Sequence, residues 1–496
     1  MSEIRVNYSG LVSFATGIVG IFTGLIFTLV VTRSLTSLEF GTWNIINNFF
    51  AYVVILEPIV SIWVTREISR RTPSGFTALI TSGLLSSLGI LIYLLVVYLI
   101  GSNTDADVDI LTWGVLLIPL NFIMRTLSAI NLSYKPQFVS YGLLVHGIVQ
   151  IPAIIYFMFY LDMGVIGIIL STLVAYISNI FVQTYLGRSQ LKNHFSLTYV
   201  KKWFKLSWIA AFPAIHSFLS LLDITIFTIL TESVIGLAFW GASFAVATII
   251  AQAGNISKAV YPKLLNNDNT EYLKDNFTLL LYFAIPLTLL SICFSKPLLF
   301  ALNPEYMIAY PVLIFTSIFV LFNTLNTTFY SILLGTEKVD LDKHIIFSSY
   351  VKSKLFSLPL ILIVQNAIYI LVFTVILFYL ISLDYSQIDL VMYWSIIALV
   401  TLFPFTIYFI IRLRKTVSFK IDSFRIIKFL LIGLFSFGSI SLLSEYYLQY
   451  DEILFNFMPE LIKFVSLSIV IYYILTLITD KQTRSLTKNI LNEFKH

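Results

Sequence analysis

Charged side chains are scarce in this sequence, and that scarcity decides its class. Asp, Glu, Lys and Arg make up 11% of the 496 residues, hydrophobic residues make up 58%, and the mean hydropathy is +0.90. A soluble globular domain carries about 25% charged residues. The low charge therefore excludes a soluble globule and makes lipid the solvent for most of the chain. The single cysteine, Cys293, excludes an internal disulfide framework.

Long polar segments are also lacking. The longest outer loop that we predict is 445–458, and the inner loops reach only about 20 residues. No segment is therefore long enough to form a soluble domain outside the membrane. We expect no cofactor, no metal site and no nucleic acid, and we expect the protein to be a monomer that acts within the membrane.

Apolar runs fill most of the chain. A run that crosses roughly 30 Å of hydrocarbon needs about 20 residues at about 1.5 Å per helical residue. Runs of this kind lie near residues 9–32, 42–65, 76–100, 110–132, 137–160, 164–186, 206–230, 235–257, 277–301, 308–333, 390–411, 426–444 and 459–479. A further stretch, 345–382, is long enough to hold one span or two.

The basic residues favour one span in that stretch. Lys and Arg are retained in cytoplasmic loops during insertion, whereas acids contribute little to orientation. With one span near 355–382 and the N-terminus inside, 27 of the 31 basic residues fall in cytoplasmic segments. Two spans would place the basic loop 412–428 outside. We predict about fourteen transmembrane helices in an all-α polytopic protein of the cell (plasma) membrane, with both termini cytoplasmic.

A basic linker divides the spans into two sets of six. Residues 188–205 contain five cations and no acid, and we expect them to include a short helix on the inner surface. Because six is an even number, the two sets share one orientation, as in parallel repeats. We therefore predict a six-helix bundle over 1–187, the linker, a second pseudo-symmetric six-helix bundle over 206–415, and two extra helices with a cytoplasmic tail over 416–496.

Two short matches support a repeat. Leu35-Thr36 followed by Gly41 matches Leu230-Thr231 followed by Gly236, and Arg125-Thr-Leu in span 4 matches Asn323-Thr-Leu in span 10. These matches are short, but both place like residues at like positions in two halves of equal orientation.

The first outer hairpin carries a recognisable pattern, Arg33-x-Leu-x-x-x-Glu39-Phe-Gly41-x-Trp43. It resembles the hairpin of the polysaccharide-biosynthesis, lipid-linked oligosaccharide (O-antigen type) flippases of the multidrug/oligosaccharidyl-lipid/polysaccharide exporter superfamily. The layout of two six-span halves, a basic linker and two further spans is similar as well. The resemblance implies export of a polyprenyl-phosphate-linked glycan from the cytoplasmic to the outer leaflet. It also implies alternating access through a central cavity lined with cations.

Cations within or at the ends of spans are candidates for binding the lipid phosphate, because charges at membrane depth are costly and commonly functional. Arg33 lies at the outer end of span 1, where it could meet a phosphate or act as an interfacial anchor paired with Glu39. Arg66 ends span 2, where it could bind phosphate or simply reflect the positive-inside rule. Lys258, at the inner end of span 8, mirrors Arg66, and the two could hold a diphosphate together.

Other ionisable residues lie inside the spans. Glu57 precedes Pro58 in span 2, so we predict a kink there. Arg125 in span 4 lies at a similar depth, which permits either an ion pair or separate roles in a cavity. In span 7, His216 and Asp223 share a helix face as a relay for H⁺ or Na⁺ or as a polar packing pair.

Two alternative functions stay open at this stage. A cation-coupled drug or metabolite antiporter of the same superfamily usually stops at twelve spans and carries an acid in its first helix, whereas span 1 here has none. A membrane glycosyltransferase could use the acidic loop Asp105-x-Asp107-x-Asp109, although it would usually need a larger outer domain. We expect a transporter and not an enzyme.

Overall fold

The computed structural model describes residues 6–69, 72–101, 103–205, 207–257, 264, 272–337, 351–416, 422–480 and 483–484. In those residues the chain is helical and carries no strand. Twelve helices are long and apolar enough to cross a membrane, or up to thirteen when the bent pair Ser37–Val54 and Pro58–Ser69 is taken as one span. α1 (Val6–Ser34) coincides with the first predicted span. The all-α polytopic prediction is therefore confirmed, and a count of fourteen stays a prediction.

Four helices follow α1 in the first half of the chain. They are α2 (Ser37–Val54), α3 (Pro58–Ser69), α4 (Gly75–Val96) and the short α5 (Val108–Trp113). α6 (Leu117–Tyr134), α7 (Gln137–Ile155) and α8 (Gly164–Gly187) follow, and α4 and α7 each end in a π-helical turn. The linker contains α9 (Leu197–Lys205).

The second half continues with α10 (Trp208–Thr231), α11 (Ile235–Ala251), α12 (Tyr272–Cys293), α13 (Ser295–Leu302) and α14 (Tyr310–Gly335). The last four helices are α15 (Lys354–Ser382), α16 (Gln387–Thr416), α17 (Ser423–Tyr447) and α18 (Leu454–Thr479). α15 is one continuous helix of 29 residues, so the ambiguous stretch holds a single span, as the charge distribution predicted.

Contacts divide the chain into two compact units. The first contains Met1–Ala238 with Thr374–Asp384, and the second contains Phe239–Phe373 with Tyr385–His496. Within the first unit α1 packs on α7, α6 packs on α8, and α10 packs on α2. The seventh span therefore groups with the first six. The division into two six-helix bundles at the linker stays a prediction.

The second unit has an aromatic core beneath its last two helices. α17 packs on α12 and α18, and α14 packs on α16. The rings of Phe429 and Tyr472 lie 5.3 Å and 5.7 Å from the ring of Tyr282. At the ends of α17 and α18, Arg425 pairs with Asp480 at 2.8 Å. The two helices beyond the twelfth span are thus packed into this unit.

The linker packs on the first unit. Trp203 of α9 is fully buried, and the Lys202 ammonium lies 3.0 Å from the buried Glu67 carboxylate at the end of α3. The Ser196 backbone N–H donates to Thr77 Oγ1 at 3.1 Å. The predicted linker helix is therefore confirmed, and its Trp203 packs on protein, whereas Phe195 is 40% exposed.

The helix boundaries agree with the predicted repeat at some positions, and the repeat itself stays a prediction. α2 begins at Ser37 and α11 at Ile235, and the same separation relates Arg125 to Asn323. The break after α2 corresponds to the 3-10 turn Gln252–Ser257 after α11. In both halves the polar residue is exposed and the following Thr and Leu are buried. The matched Leu-Thr-Gly pairs fall three residues out of this register.

Candidate functional site

Arg125 is an exposed cation in the middle of a membrane span. It lies on α6, and its Nε donates to Asn121 Oδ1 one turn earlier at 2.9 Å. The Asn121 amide in turn donates to the Tyr176 hydroxyl of α8 at 3.1 Å. The ring of His146 on α7 lies 5.6 Å from the ring of Tyr176. The Arg125 Nε is therefore held by Asn121 of the same helix, and Asn121 is held in turn by a side chain of α8 that packs beside a side chain of α7.

The two terminal amino groups of Arg125 are left for another acceptor. No ion pair joins Arg125 to any residue in the described part of the chain. A guanidinium presents a planar set of donors that matches the oxygens of a phosphate or carboxylate. An exposed, positioned arginine at this depth is thus suited to bind an anionic group.

Glu57 lies at the break that Pro58 predicted. The axes of α2 and α3 differ by 55°, and the Glu57 backbone N–H donates to the Val54 carbonyl at 3.1 Å. The Glu57 side chain is 3% exposed, and Thr126 Oγ1 lies 3.4 Å from its carboxylate. Thr126 also donates to Ser82 Oγ at 2.8 Å. Glu57 is thus a buried carboxylate that a hydroxyl group contacts at a helix break.

Glu57 and Arg125 are neighbours without direct contact. Thr126, which contacts Glu57, follows Arg125 in the chain, and Arg125 lies within electrostatic range of Glu57. The Arg125 Nε nevertheless bonds Asn121, and the described residues contain no ion pair between Glu57 and Arg125. The contact pair that equal depth permitted is therefore absent. Arg125 and Thr126 are adjacent on α6 and contact different neighbours. A similar depth in the membrane therefore does not show that two residues are in contact.

The predicted inner-mouth cations are only partly described. Arg66 is exposed at the end of α3, with its guanidinium 5.7 Å from the centre of the Trp63 ring. The following residue, Glu67, pairs with Lys202 of the linker. Lys258 lies outside the described residues. The phosphate role of Arg66 and Lys258 stays a prediction.

The first outer hairpin is a capped turn. Thr36 caps α2, and the Glu39 carboxylate accepts from the Thr36 backbone N–H at 2.9 Å, which completes a capping box. Glu39 therefore serves this cap, and its pairing with Arg33 stays a prediction. Arg33 is half-buried at the end of α1. Gly41 meets the turn between α10 and α11, where an added Cβ would lie 2.0 Å from the Val234 carbonyl oxygen.

Span 7 carries its two predicted polar residues beside a polar cluster. Asp223 is 8% exposed and His216 is half-buried on α10. Thr225 Oγ1 donates to Asn48 Oδ1 of α2 at 2.9 Å, and the Tyr52 hydroxyl donates to the Leu221 carbonyl at 2.9 Å. This environment favours polar packing for Asp223, and a relay with His216 stays a prediction. Asn48 and Tyr52, one helical turn apart within a span, are the sequence signal for this cluster.

The acidic outer loop serves structure. Asp105 accepts from Ser233 Oγ at 2.6 Å and from the Val234 backbone N–H at 2.8 Å, so it fastens the turn between α10 and α11. Asp107 caps α5 by accepting from the Asp109 backbone N–H at 2.8 Å. Within the described residues, no group of three or more His, Cys, Asp or Glu side chains could hold a metal ion. The loop therefore offers no support for a glycosyltransferase site.

Three solved structures are similar to this chain. Lipid II flippase MurJ in an inward closed conformation matches with a TM-score of 0.66 at 15% identity, covering 97% of this chain and 99% of that chain. A multidrug resistance MATE family transporter of the MOP superfamily, inward-facing, matches with a TM-score of 0.58 at 12% identity, covering 82% and 98%. A MATE transporter from Vibrio cholerae matches with a TM-score of 0.55 at 13% identity, covering 82% and 98%.

No protein-family model matches the sequence, and no curated protein is significantly similar to it. The fold nevertheless resembles those of a lipid II flippase and of a MATE transporter of the MOP superfamily, which confirms the predicted resemblance at the level of fold. The similar structures are transporters and not enzymes, in agreement with our prediction for this chain.

Proposed function

We propose that this protein transports a lipid-linked oligosaccharide from the cytoplasmic to the outer leaflet of the cell membrane by alternating access. The carrier would be a polyprenyl phosphate, and its phosphate would bind cations of a central cavity. The observation that carries the proposal is Arg125, an exposed arginine inside a span with no ion-pair partner among the described residues. An uncharged or cationic substrate would gain nothing from such a residue.

The repeat supports an asymmetric site. Asn323 occupies the position of Arg125 in the second half and is exposed as well. Asn255 occupies the position of Glu57. The first half thus carries charges where the second half carries neutral amides. This difference supports binding of the anionic headgroup mainly by the first half, while the second half contacts less polar parts of the substrate.

A matched pair of variants tests the proposal. Arg125→Asn gives the first half the residue of the second, and Asn323→Ala truncates the equivalent side chain without changing the charge. In proteoliposomes with a fluorescent polyprenyl-diphosphate oligosaccharide, we expect Arg125→Asn to lose about tenfold or more in flipping rate, because charge-assisted bonds to phosphate are lost. Asn323→Ala should stay within about twofold. Equal rates for Arg125→Asn and the unmodified protein would overturn the proposal.

Arg66 and Lys258 are the proposed second contact, at the inner mouth. Truncating both should reduce glycan display while leaving the protein level unchanged, because each cation would contribute to binding of the diphosphate at entry. Normal display in the Arg66→Ala, Lys258→Ala double variant would remove these residues from the site and leave Arg125 as the only tested contact.

The buried Glu57 favours a second candidate, a cation-coupled drug or metabolite antiporter. A carboxylate inside a span can hold H⁺ or Na⁺ during transport, and two of the similar structures are MATE transporters, one of them of a multidrug resistance family. An organic cation would be repelled by Arg125, so Arg125→Asn should speed its efflux. Ethidium efflux that is faster in Arg125→Asn than in the unmodified protein would support this candidate over the flippase.

A further inference from the structure

Two cations face one another where α15 begins and α16 ends. Lys354 is the first residue of α15, and Arg412 lies four residues before the end of α16. Ser357 follows Lys354 by three residues and therefore lies on the same face of α15. Arg412 Nη2 donates to Ser357 Oγ at 2.9 Å. The guanidinium is thus held beside the Lys354 side chain, on which it acts electrostatically.

Neutral hydroxyl groups hold both cations. Arg412 Nη1 donates to the Tyr408 hydroxyl at 2.7 Å, and Lys354 Nζ donates to Thr336 Oγ1 at 2.8 Å. In the described ranges, neither cation forms an ion pair. The acid at this place is Glu337, whose Oε2 accepts from the Lys354 backbone N–H at 2.7 Å. Among the described residues, one carboxylate therefore faces two cations and the positive end of a long helix.

A further anion would stabilise this arrangement. Both cations are half-buried, and like charges repel more strongly where water is excluded. The Ser357 and Tyr408 hydroxyl oxygens accept hydrogen bonds from Arg412. No described residue accepts a hydrogen bond from the O–H of either side chain. Two cations and two available O–H donors match the several oxygens of a phosphate group.

Apolar side chains continue from this cluster along both helices. Leu360 and Val364 follow Ser357 on the same face of α15 and are 42% and 44% exposed. Ile407 and Ile411 flank Tyr408 on α16 and are 45% and 50% exposed. Arg412 lies about 6 Å from the helix end at about 1.5 Å per residue, and it directly follows the apolar run 390–411 that we predict to span the membrane. A phosphate here would have room for attached acyl chains beside it.

We propose that Lys354, Arg412, Ser357 and Tyr408 bind the phosphate of an anionic phospholipid in the leaflet that we predict to be cytoplasmic. Basic sites between transmembrane helices on that side are suited to anionic headgroups. The apolar track on α15 and α16 favours a lipid over a free phosphate ion. This site is separate from Arg125 and does not depend on the proposed transport function.

Lipid retention tests the site. The full-length protein is purified after incorporation into bilayers of phosphatidylglycerol and phosphatidylcholine, and the bound lipid is counted by native mass spectrometry. The test variant is Lys354→Gln with Arg412→Gln. The control is Arg414→Gln with Lys415→Gln, which removes the same charge from exposed positions in the last turn of α16. We expect about tenfold less retained phosphatidylglycerol in the test variant and less than about twofold change in the control.

Two further measurements keep the result interpretable. Ser357→Ala with Tyr408→Phe keeps both charges and should lower retention about threefold, because two of the donors are lost. Inorganic phosphate should not raise the melting temperature as phosphatidylglycerol does. Equal retention in the test variant, equal loss in the control, or equal stabilisation by inorganic phosphate would each overturn the proposal.

Discussion

Gly41 shows how little space a single residue has in this protein. An added Cβ would lie 2.0 Å from the Val234 carbonyl oxygen, so backbone must move to accept any other residue. We expect Gly41→Ala to lower stability by about 1–3 kcal/mol or more, measured as the melting temperature of the purified protein. Gly83→Ala on α4 is the control, because an added Cβ there meets nothing within 4 Å. Equal melting temperatures for Gly41→Ala and Gly83→Ala would contradict this prediction.

Glu57 and Arg125 make a second prediction for single residues. Since they do not touch, the stability losses of Glu57→Gln and Arg125→Gln should add to within about 0.5 kcal/mol in the double variant. A contact pair would behave differently, because breaking it from one side costs about 3–5 kcal/mol and removing both residues costs much less. Chemical or thermal unfolding of the four proteins in detergent measures this. Recovery in the double variant would show that the two side chains do meet in solution.

The sequence predicted some residue roles and could not predict others. The break at Glu57 follows from Pro58, which lacks an N–H, and the candidacy of Arg125 follows from the cost of a charge in lipid. The partners Asn48 and Thr225 lie far apart in sequence, and only packing brings them to 2.9 Å. The role of Glu39 could have been found, because Thr36 and Glu39 have the spacing of a capping box.

Among the elements, the last two helices are tied together by one ion pair. Burial alone would raise the pKa of Asp480, but hydrogen bonds from Arg425 and Thr483 outweigh burial and hold that pKa below its usual value. A lowered folded pKa means stability that is present at neutral pH and lost as the pH falls below about 4. Melting curves from pH 7 to pH 3 should therefore show a growing loss of stability.

Asp480→Asn is the variant that checks this cause. It should be less stable than the unmodified protein at pH 7, and the difference should shrink as the pH falls, because protonation removes the same charge. Asp384→Asn is the control, since Asp384 is exposed in an outer turn. A stability difference for Asp480→Asn that does not change with pH would exclude the ion pair as its origin.

The helix in the linker was predicted from the sequence, but the residues on which it packs were not. The spacing of its aromatic residues indicates a helix with one apolar face, and α9 forms as expected. Periodicity identifies the face but not what covers it. Glu67 lies 135 residues earlier in the chain, on α3, and supplies the partner of Lys202.

At the scale of the whole molecule, the distribution of basic residues predicts the orientation of every loop. In a Cys293→Ser background, a cysteine at Ser418 should react with an impermeant thiol reagent only after the membrane is opened. A cysteine at Asp384, in the turn between α15 and α16, should react in intact cells. Labelling of both from the same side would contradict a single span between them, and with it the count of fourteen.

The architecture was the most predictable level of this molecule, and the grouping of its spans was the least. Hydropathy and charge report where each helix enters and leaves the membrane, because insertion depends on them locally. Which helices pack together depends on distant contacts such as Asp105 with Ser233, and on the fit of Gly41 against Val234. Those contacts place α10 with the first six spans.

The docked linker has a practical consequence for reporter fusions. Long basic loops between transporter halves are natural sites for inserting a fluorescent protein or an epitope. Here an insertion next to Trp203 would displace a fully buried indole from its packing and separate Lys202 from Glu67. An insertion between Lys192 and Asn193, both at least partly exposed, would leave α9 seated. Of the two fusions, only the second should keep the native fold and give fluorescence at the membrane.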